Sequence, residues 1–188
     1  ALTPDQRESV DAILRNALRV QDYVAQLRAM TGPDAVPSRE KETVTLPELA
    51  EGWWEMGQCL CGTKQVTFRC SEVPCLESAV YRGDLDRAVS NLLDNAVRYT
   101  PSGGTVTLSI SAAESGLTIA VEDTGPGFSA EALARGEQAF YTSDTSRSQE
   151  SHMGMGLFFA GQTAKRHGGS LRLFNTEHGA RAELVLPA

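Results

Sequence analysis

Two closely spaced strand pairs constrain this chain more than any other feature. Thr105–Ile110 alternates Val106, Leu108 and Ile110 with Thr105, Thr107 and Ser109, and Leu117–Val121 alternates likewise after the turn Glu114-Ser115-Gly116. Ser170–Phe174 and Ala180–Leu186 close the chain as two more strands. Strands joined by so few residues pair antiparallel, because a parallel neighbour needs a crossover of about a dozen residues or more. The hairpins therefore rule against a simple parallel dinucleotide-binding sheet.

Helical segments alternate with these strands. Leu46–Cys61 carries Pro47 in its first turn and Leu49, Trp53, Met56 and Leu60 at helical spacing. Lys64–Arg69 reads as a short strand, and Asp84–Tyr99 as a helix with one broad apolar face: Leu85, Ala88, Val89, Leu92, Leu93 and Ala96. Pro101-Ser102-Gly103-Gly104 ends it. Asp123–Phe128 is a turn, Ala130–Arg135 a short helix, and Gly156–His167 a helix stopped by Gly168-Gly169. Residues 142–151 hold six Ser or Thr in ten and read as a mobile loop. From Leu46 the order is α-β-α-β-β-α-α-β-β. It predicts an α/β (α+β) two-layer sandwich, a mixed, largely antiparallel sheet with helices on one face.

A long helix precedes this domain. After Thr3 and Pro4, apolar residues fall at Val10, Ile13, Ala17, Val20, Val24 and Leu27, alternating steps of three and four. Leu14 and Leu18 widen the stripe, which suits a bundle better than a two-stranded coil. The helix either packs on its own domain or dimerises, and the dimer is the preferred reading. The expected domains are residues 1–30 as a partial bundle, 31–43 as a Gly- and Pro-containing linker, and 44–188 as the main domain.

Among its 188 residues the chain carries 17 Lys and Arg against 24 Asp and Glu, a formal net charge of −7. That disfavours a broad nucleic-acid surface but permits a local phosphate pocket. No apolar run approaches the ~18 residues of a membrane span. Cys59, Cys61, Cys70 and Cys75 lack the paired knuckles of a zinc site and read as reduced intracellular thiols, with a Cys70–Cys75 disulfide left open.

Three segments carry chemistry. Asn91, Asn95 and Arg98 are spaced four and three apart and share one helix face. Amide oxygens can ligate Mg2+, and arginine can pair with phosphate. Asp123-Thr124-Gly125-Pro126-Gly127-Phe128 follows a strand; its glycines allow a flat ligand close to the backbone, and its carboxylate can accept from a base amine. His152-Met153-Gly154-Met155-Gly156-Leu157 opens a helix, where free N–H groups and the dipole attract anions. No G-x4-GK[ST] motif is present.

In this order, NLLDNAVRYT, DTGPGF, EQAFYTSD and MGMGLFFA resemble the N-box, first glycine box, F-box and second glycine box of sensor histidine kinases. The distal KRHGGSLRLFN and GARAELVLP resemble that family's closing helix and hairpin. The resemblance covers about residues 80–188 and implies the Bergerat ATP-binding fold shared with gyrase, Hsp90 and MutL. It implies that Asn95 ligates Mg2+, Asn91 supports metal and phosphates, and Arg98 contacts phosphate. Tyr99 is implied to pack on the nucleotide, and Asp123 to bind the adenine amine in a pocket shaped by Gly125 and Gly127. Gly154, Gly156 and Leu157 are implied to border the phosphates, and Phe140 to anchor a lid over 141–153. Two departures stand out: Thr142 occupies a place that is commonly basic, with Arg147 as a substitute cation, and His152 replaces a frequent glycine.

Related ATPases place a water-activating Glu where this chain has Asn91. An amide cannot act as a general base, so the resemblance implies phosphoryl transfer to a protein histidine rather than hydrolysis. The implied cofactors are ATP and Mg2+. The implied partners are a second copy through the N-terminal helix and a response regulator receiver domain. The only histidines are His152, His167 and His178, so the acceptor is expected upstream of Ala1, in a longer, membrane-anchored bacterial protein with this part in the cytoplasm. Two other readings are a degenerate nucleotide-binding or dimerisation module and a serine kinase of the anti-sigma-factor type.

Overall fold

The computed structural model describes Val10 and residues 40–114, 116–138 and 155–187. The expected bundle helix, most of the linker, the lid, Phe140 and Gly154 lie outside them. Residues from Lys41 onward form one compact unit.

Its elements are β1 (Glu42–Thr45), α1 (Leu46–Gly62), β2 (Thr67–Cys70), β3 (Glu77–Val80), α2 (Arg82–Tyr99), β4 (Thr105–Ala113), β5 (Gly116–Asp123), α3 (Ala130–Arg135), α4 (Gly156–Arg166), β6 (Ser170–Asn175) and β7 (Ala180–Leu186). Five strands form one sheet in the order β2-β4-β5-β7-β6. Only β2–β4 is parallel; the other three pairings are antiparallel. The expected mixed, largely antiparallel sheet is what forms.

Strand alternation explains the two layers. Val106, Leu108 and Ile110 of β4, Ile119 and Val121 of β5, and Ala182 and Leu184 of β7 are all buried. Their neighbours Thr107, Ser109, Thr118, Arg181 and Glu183 are only half-buried. The apolar side receives α2 through Leu85, Val89, Leu92, Leu93 and Ala96, and α4 through Ala160 and Ala164. Helix α1 packs on α2 and β2, with Leu49 and Trp53 buried. A fully buried Leu or Val of this kind contributes roughly 1.5–3 kcal/mol.

Two features escaped the sequence. Strands β1 and β3 pair antiparallel into a separate two-stranded sheet, with Glu42 opposite Val80 and Thr45 opposite Glu77. Strand β2 starts at Thr67 rather than Lys64, because Thr63–Gln65 form a turn in which Gln65 adopts a φ of 57°. That turn lets Lys64 reach back to α2, where its Nζ donates to the carbonyls of Val97, at 3.1 Å, and Arg98. A cation at the last carbonyls of a helix satisfies groups that have no partner within it.

His167 ties α2 to α4. Its Nε2 accepts from the Tyr81 N–H at 2.9 Å and its Nδ1 donates to the Thr163 carbonyl at 2.8 Å. The imidazole is therefore neutral, and burial holds its pKa below the usual histidine value. A base with a lowered folded-state pKa contributes stability that is present above about pH 6.5 and is lost as pH falls below it. Urea denaturation should show wild type losing stability faster than His167→Gln as pH falls from about 7 to 5. Parallel curves would contradict this role.

Candidate functional site

Helix α2 presents two faces at once. Its apolar residues enter the core, and Asn91, Asn95 and Arg98 at i, i+4 and i+7 stay half-buried at the edge of that contact. The Nδ2 of Asn91 is buried without a hydrogen-bond partner among the described residues. An orphaned buried donor costs about 1–3 kcal/mol, which an acceptor atom placed beside it would recover. No hydrogen bond of the Asn95 side chain occurs among the described residues. The Arg98 guanidinium stands 5.9 Å from the Tyr99 ring centre, and Tyr99 is exposed.

The start of α4 meets α2 beside Asn91. A Cβ added to Gly156 would stand 3.6 Å from Asn91 Cβ. Helix α4 opens at Met155 without a side-chain cap, so its first N–H groups have no side-chain partner among the described residues. Leu157 points elsewhere: its side chain packs against the core, near Gly136.

The other end of the α2 stretch meets the turn after β5. A Cβ on Gly125 would lie 2.7 Å from the Tyr99 carbonyl and 2.8 Å from Asp123 Oδ1, so only glycine allows this approach. Asp123 is 5% exposed. Its Oδ1 accepts from Gly125 N–H at 2.8 Å and Ala180 N–H at 3.5 Å. Oδ2 receives no hydrogen bond among the described residues. Burial raises the Asp123 pKa and Glu122 adds to it, while the two N–H groups pull it down. A carboxylate penalised in this way gains from a ligand donor that stabilises its charged form.

Thus the structure brings Asn91 to Gly156 at one end and Tyr99 to Asp123 and Gly125 at the other. The eight-residue rise between Asn91 and Tyr99 is roughly 12 Å, enough to lay a nucleotide from base to terminal phosphate along one helix. The donor set fits such a group: an amide donor and uncapped helix N–H groups for phosphate, an amide oxygen on Asn95 for a hard cation, and a buried carboxylate for a base amine.

Sequence reading missed several groups that set this geometry. Thr124 fastens the turn to β4, accepting from Thr105 N–H at 2.9 Å through its hydroxyl. Its own N–H donates to the Thr105 carbonyl at 3.1 Å. Asn175 holds the far side of the turn through Phe128. These contacts join residues far apart in sequence, and no local pattern signals them. Cys59, Cys61, Cys70 and Cys75 stand as free thiols, and burial pushes Cys61 and Cys70 up in pKa. No described helix is long and apolar enough to cross a membrane.

Comparison with known proteins agrees with the geometry. The profile of the histidine kinase-, DNA gyrase B- and HSP90-like ATPases matches residues 81–188. Sensor histidine kinase SpaK of Bacillus subtilis is 31% identical over 185 residues, covering 97% of this chain and 40% of SpaK. Sensor protein CreC of Escherichia coli (strain K12) is 38% identical over 95 residues, 50% of this chain and 20% of CreC. The solved mycobacterial sensor histidine kinase MprB superposes with a TM-score of 0.68 at 27% identity, covering 78% of this chain and 97% of that structure. Full-length ShkA in complex with AMPPNP shares the fold, with a TM-score of 0.75 at 24% identity over 100% of this chain and 40% of that one. This chain therefore spans less than half the length of SpaK or CreC. It belongs to the family of histidine kinase-, DNA gyrase B- and HSP90-like ATPases, whose ATP-binding domain the match at residues 81–188 identifies in this chain.

Proposed function

We propose that this chain is the catalytic part of a two-component sensor histidine kinase, moving the γ-phosphoryl of ATP to a histidine on another segment or subunit. The observation that carries the reading is the orphaned Asn91 Nδ2 beside the uncapped start of α4. A buried amide in that place can donate to phosphate but cannot take a proton from water. In the transfer, the bond from the γ-phosphorus to its bridging oxygen breaks, a bond to an imidazole nitrogen forms, and ADP leaves.

The residues divide the work. Asp123 reads the base through Oδ2 while Oδ1 holds its own turn. Tyr99 covers the base side, Gly125 and Gly127 border that pocket, and Arg98 meets phosphate. Asn91, with the N–H groups of Gly156 and Leu157, orients the phosphates; Gly154 and Phe140, which the resemblance also assigns to the nucleotide, lie outside the described residues. Asn95 would hold Mg2+ through its amide oxygen, and the bound cation neutralises phosphate charge. The full protein would act as a homodimer through the N-terminal helix, serve a response regulator receiver domain, and keep this part in the cytoplasm.

Two variants test the assignment. Asp123→Asn keeps the Oδ1 acceptor but puts a donor where Oδ2 was. Calorimetric titration should show ATP binding weakened about a hundredfold or more. The fold should hold, because a raised carboxyl pKa costs stability as pH rises through it, and the amide removes that loss. The variant's urea midpoint at pH 7 is therefore expected at or above that of wild type; unchanged ATP affinity would sink the pocket. Asn95→Ala should lower Mg-dependent phosphorylation of a supplied acceptor-helix domain by about 10²-fold, the scale for losing one transition-state electrostatic group. Wild-type transfer rates would remove Asn95 from the metal site.

A further inference from the structure

The adenine-side turn runs from Asp123 to Phe128, and its near end is fixed to β4 through Thr124. Its far end is fixed differently. The Phe128 N–H donates to Asn175 Oδ1 at 2.7 Å, and Asn175 Nδ2 donates to the Phe128 carbonyl at 2.9 Å. One side-chain amide thus imitates a strand partner for a single residue, although the two stand 47 positions apart. Gly127 makes room for it. Its φ of +81° is open to glycine, and a Cβ there would come within 3.0 Å of Asn175 Oδ1.

Asn175 ends β6, and the tip that follows it is closed by its own hydrogen bonds. Thr176 N–H donates to the Gly179 carbonyl at 2.8 Å, and Thr176 Oγ1 accepts from His178 and Gly179 N–H at 3.2 Å. The same hydroxyl donates to Glu122 Oε1 at 3.0 Å. A Cβ on Gly179 would lie 2.2 Å from the Asp123 carbonyl, so the tip seats directly on the strand end that carries the carboxylate. Ala180 N–H then reaches Asp123 Oδ1. The carboxylate and the far side of its turn are therefore both referenced to one hairpin tip.

We infer that the β6–β7 tip is the support that sets base selectivity, with Asn175 as its positioning residue. Asn175 acts through Phe128 and Gly127 on the placement of Asp123 Oδ2. The inference rests on the proposed reading of Asp123 as the group that recognises the base amine. Gly127 takes a different role in it from direct contact with the base: it admits the Asn175 amide.

Titration of the chain with ATP and with inosine triphosphate, which carries a carbonyl in place of the six-amino group, separates this role from general support. Wild type should prefer ATP. Asn175→Ala should weaken ATP binding about tenfold, the scale of one net hydrogen bond, while changing inosine triphosphate binding less than about twofold. Phe128 amide hydrogen exchange should quicken in the same variant without nucleotide. Asn175→Asp, which loses the donor to Phe128, serves if the alanine variant does not fold and should show the same selective loss. Equal weakening of both nucleotides, or an unchanged ATP preference, would overturn the inference and leave the Asp123 reading intact. Wild type that binds both nucleotides equally would overturn the Asp123 reading and the inference with it.

Discussion

The burial of one face of α2 against the sheet is the contact on which everything else here depends. Leu85, Val89 and Leu93 are wholly buried there, and they fix the helix in both rotation and depth. Because a helix repeats every 3.6 residues, fixing those positions also fixes Asn91, Asn95 and Arg98 on the adjoining face. The polar residues need no separate scaffold. Loss of a core leucine such as Leu93 would cost about 2–5 kcal/mol and would also turn or tilt the polar face of the helix.

The two ends of that face differ in electrostatic character. At Asn91 the helix start of α4 offers uncapped N–H groups and a positive dipole end, which suit phosphate charge. At Tyr99 a carboxylate is buried and held in place by backbone donors to one oxygen. A triphosphate and an amine-bearing base carry the complementary features in the same order. The net charge of −7 is no obstacle to the proposed function, in which attraction for phosphate is local rather than spread over the surface.

Much of this was legible in the residues because it is periodic. The apolar face of α2 spans several helical turns, and β4 and β5 alternate long enough to show which side is buried. That Asn91, Asn95 and Arg98 share one half-buried face also follows from their spacing on α2. Strands β1 and β3 do not follow in this way, since four residues each carry too little alternation and their pairing bridges more than thirty positions. Alternation alone carries β2 back to Lys64, because nothing local requires Gln65 to adopt a positive φ. Asn175 and His167 carry no sequence signal for a related reason. Each is one side chain satisfying distant backbone groups, across 47 and 86 positions, and such bonds leave no trace in local pattern.

The central claim is that one nucleotide lies along α2 with its base at Asp123 and its phosphates at Asn91 and the start of α4. A crystal structure of the chain with Mg2+ and a non-hydrolysable ATP analogue tests it most directly. The account predicts Asp123 Oδ2 within about 3 Å of the six-amino nitrogen and a phosphate oxygen at similar distance from Asn91 Nδ2. A nucleotide bound away from both, or bound in the reverse direction, would contradict it.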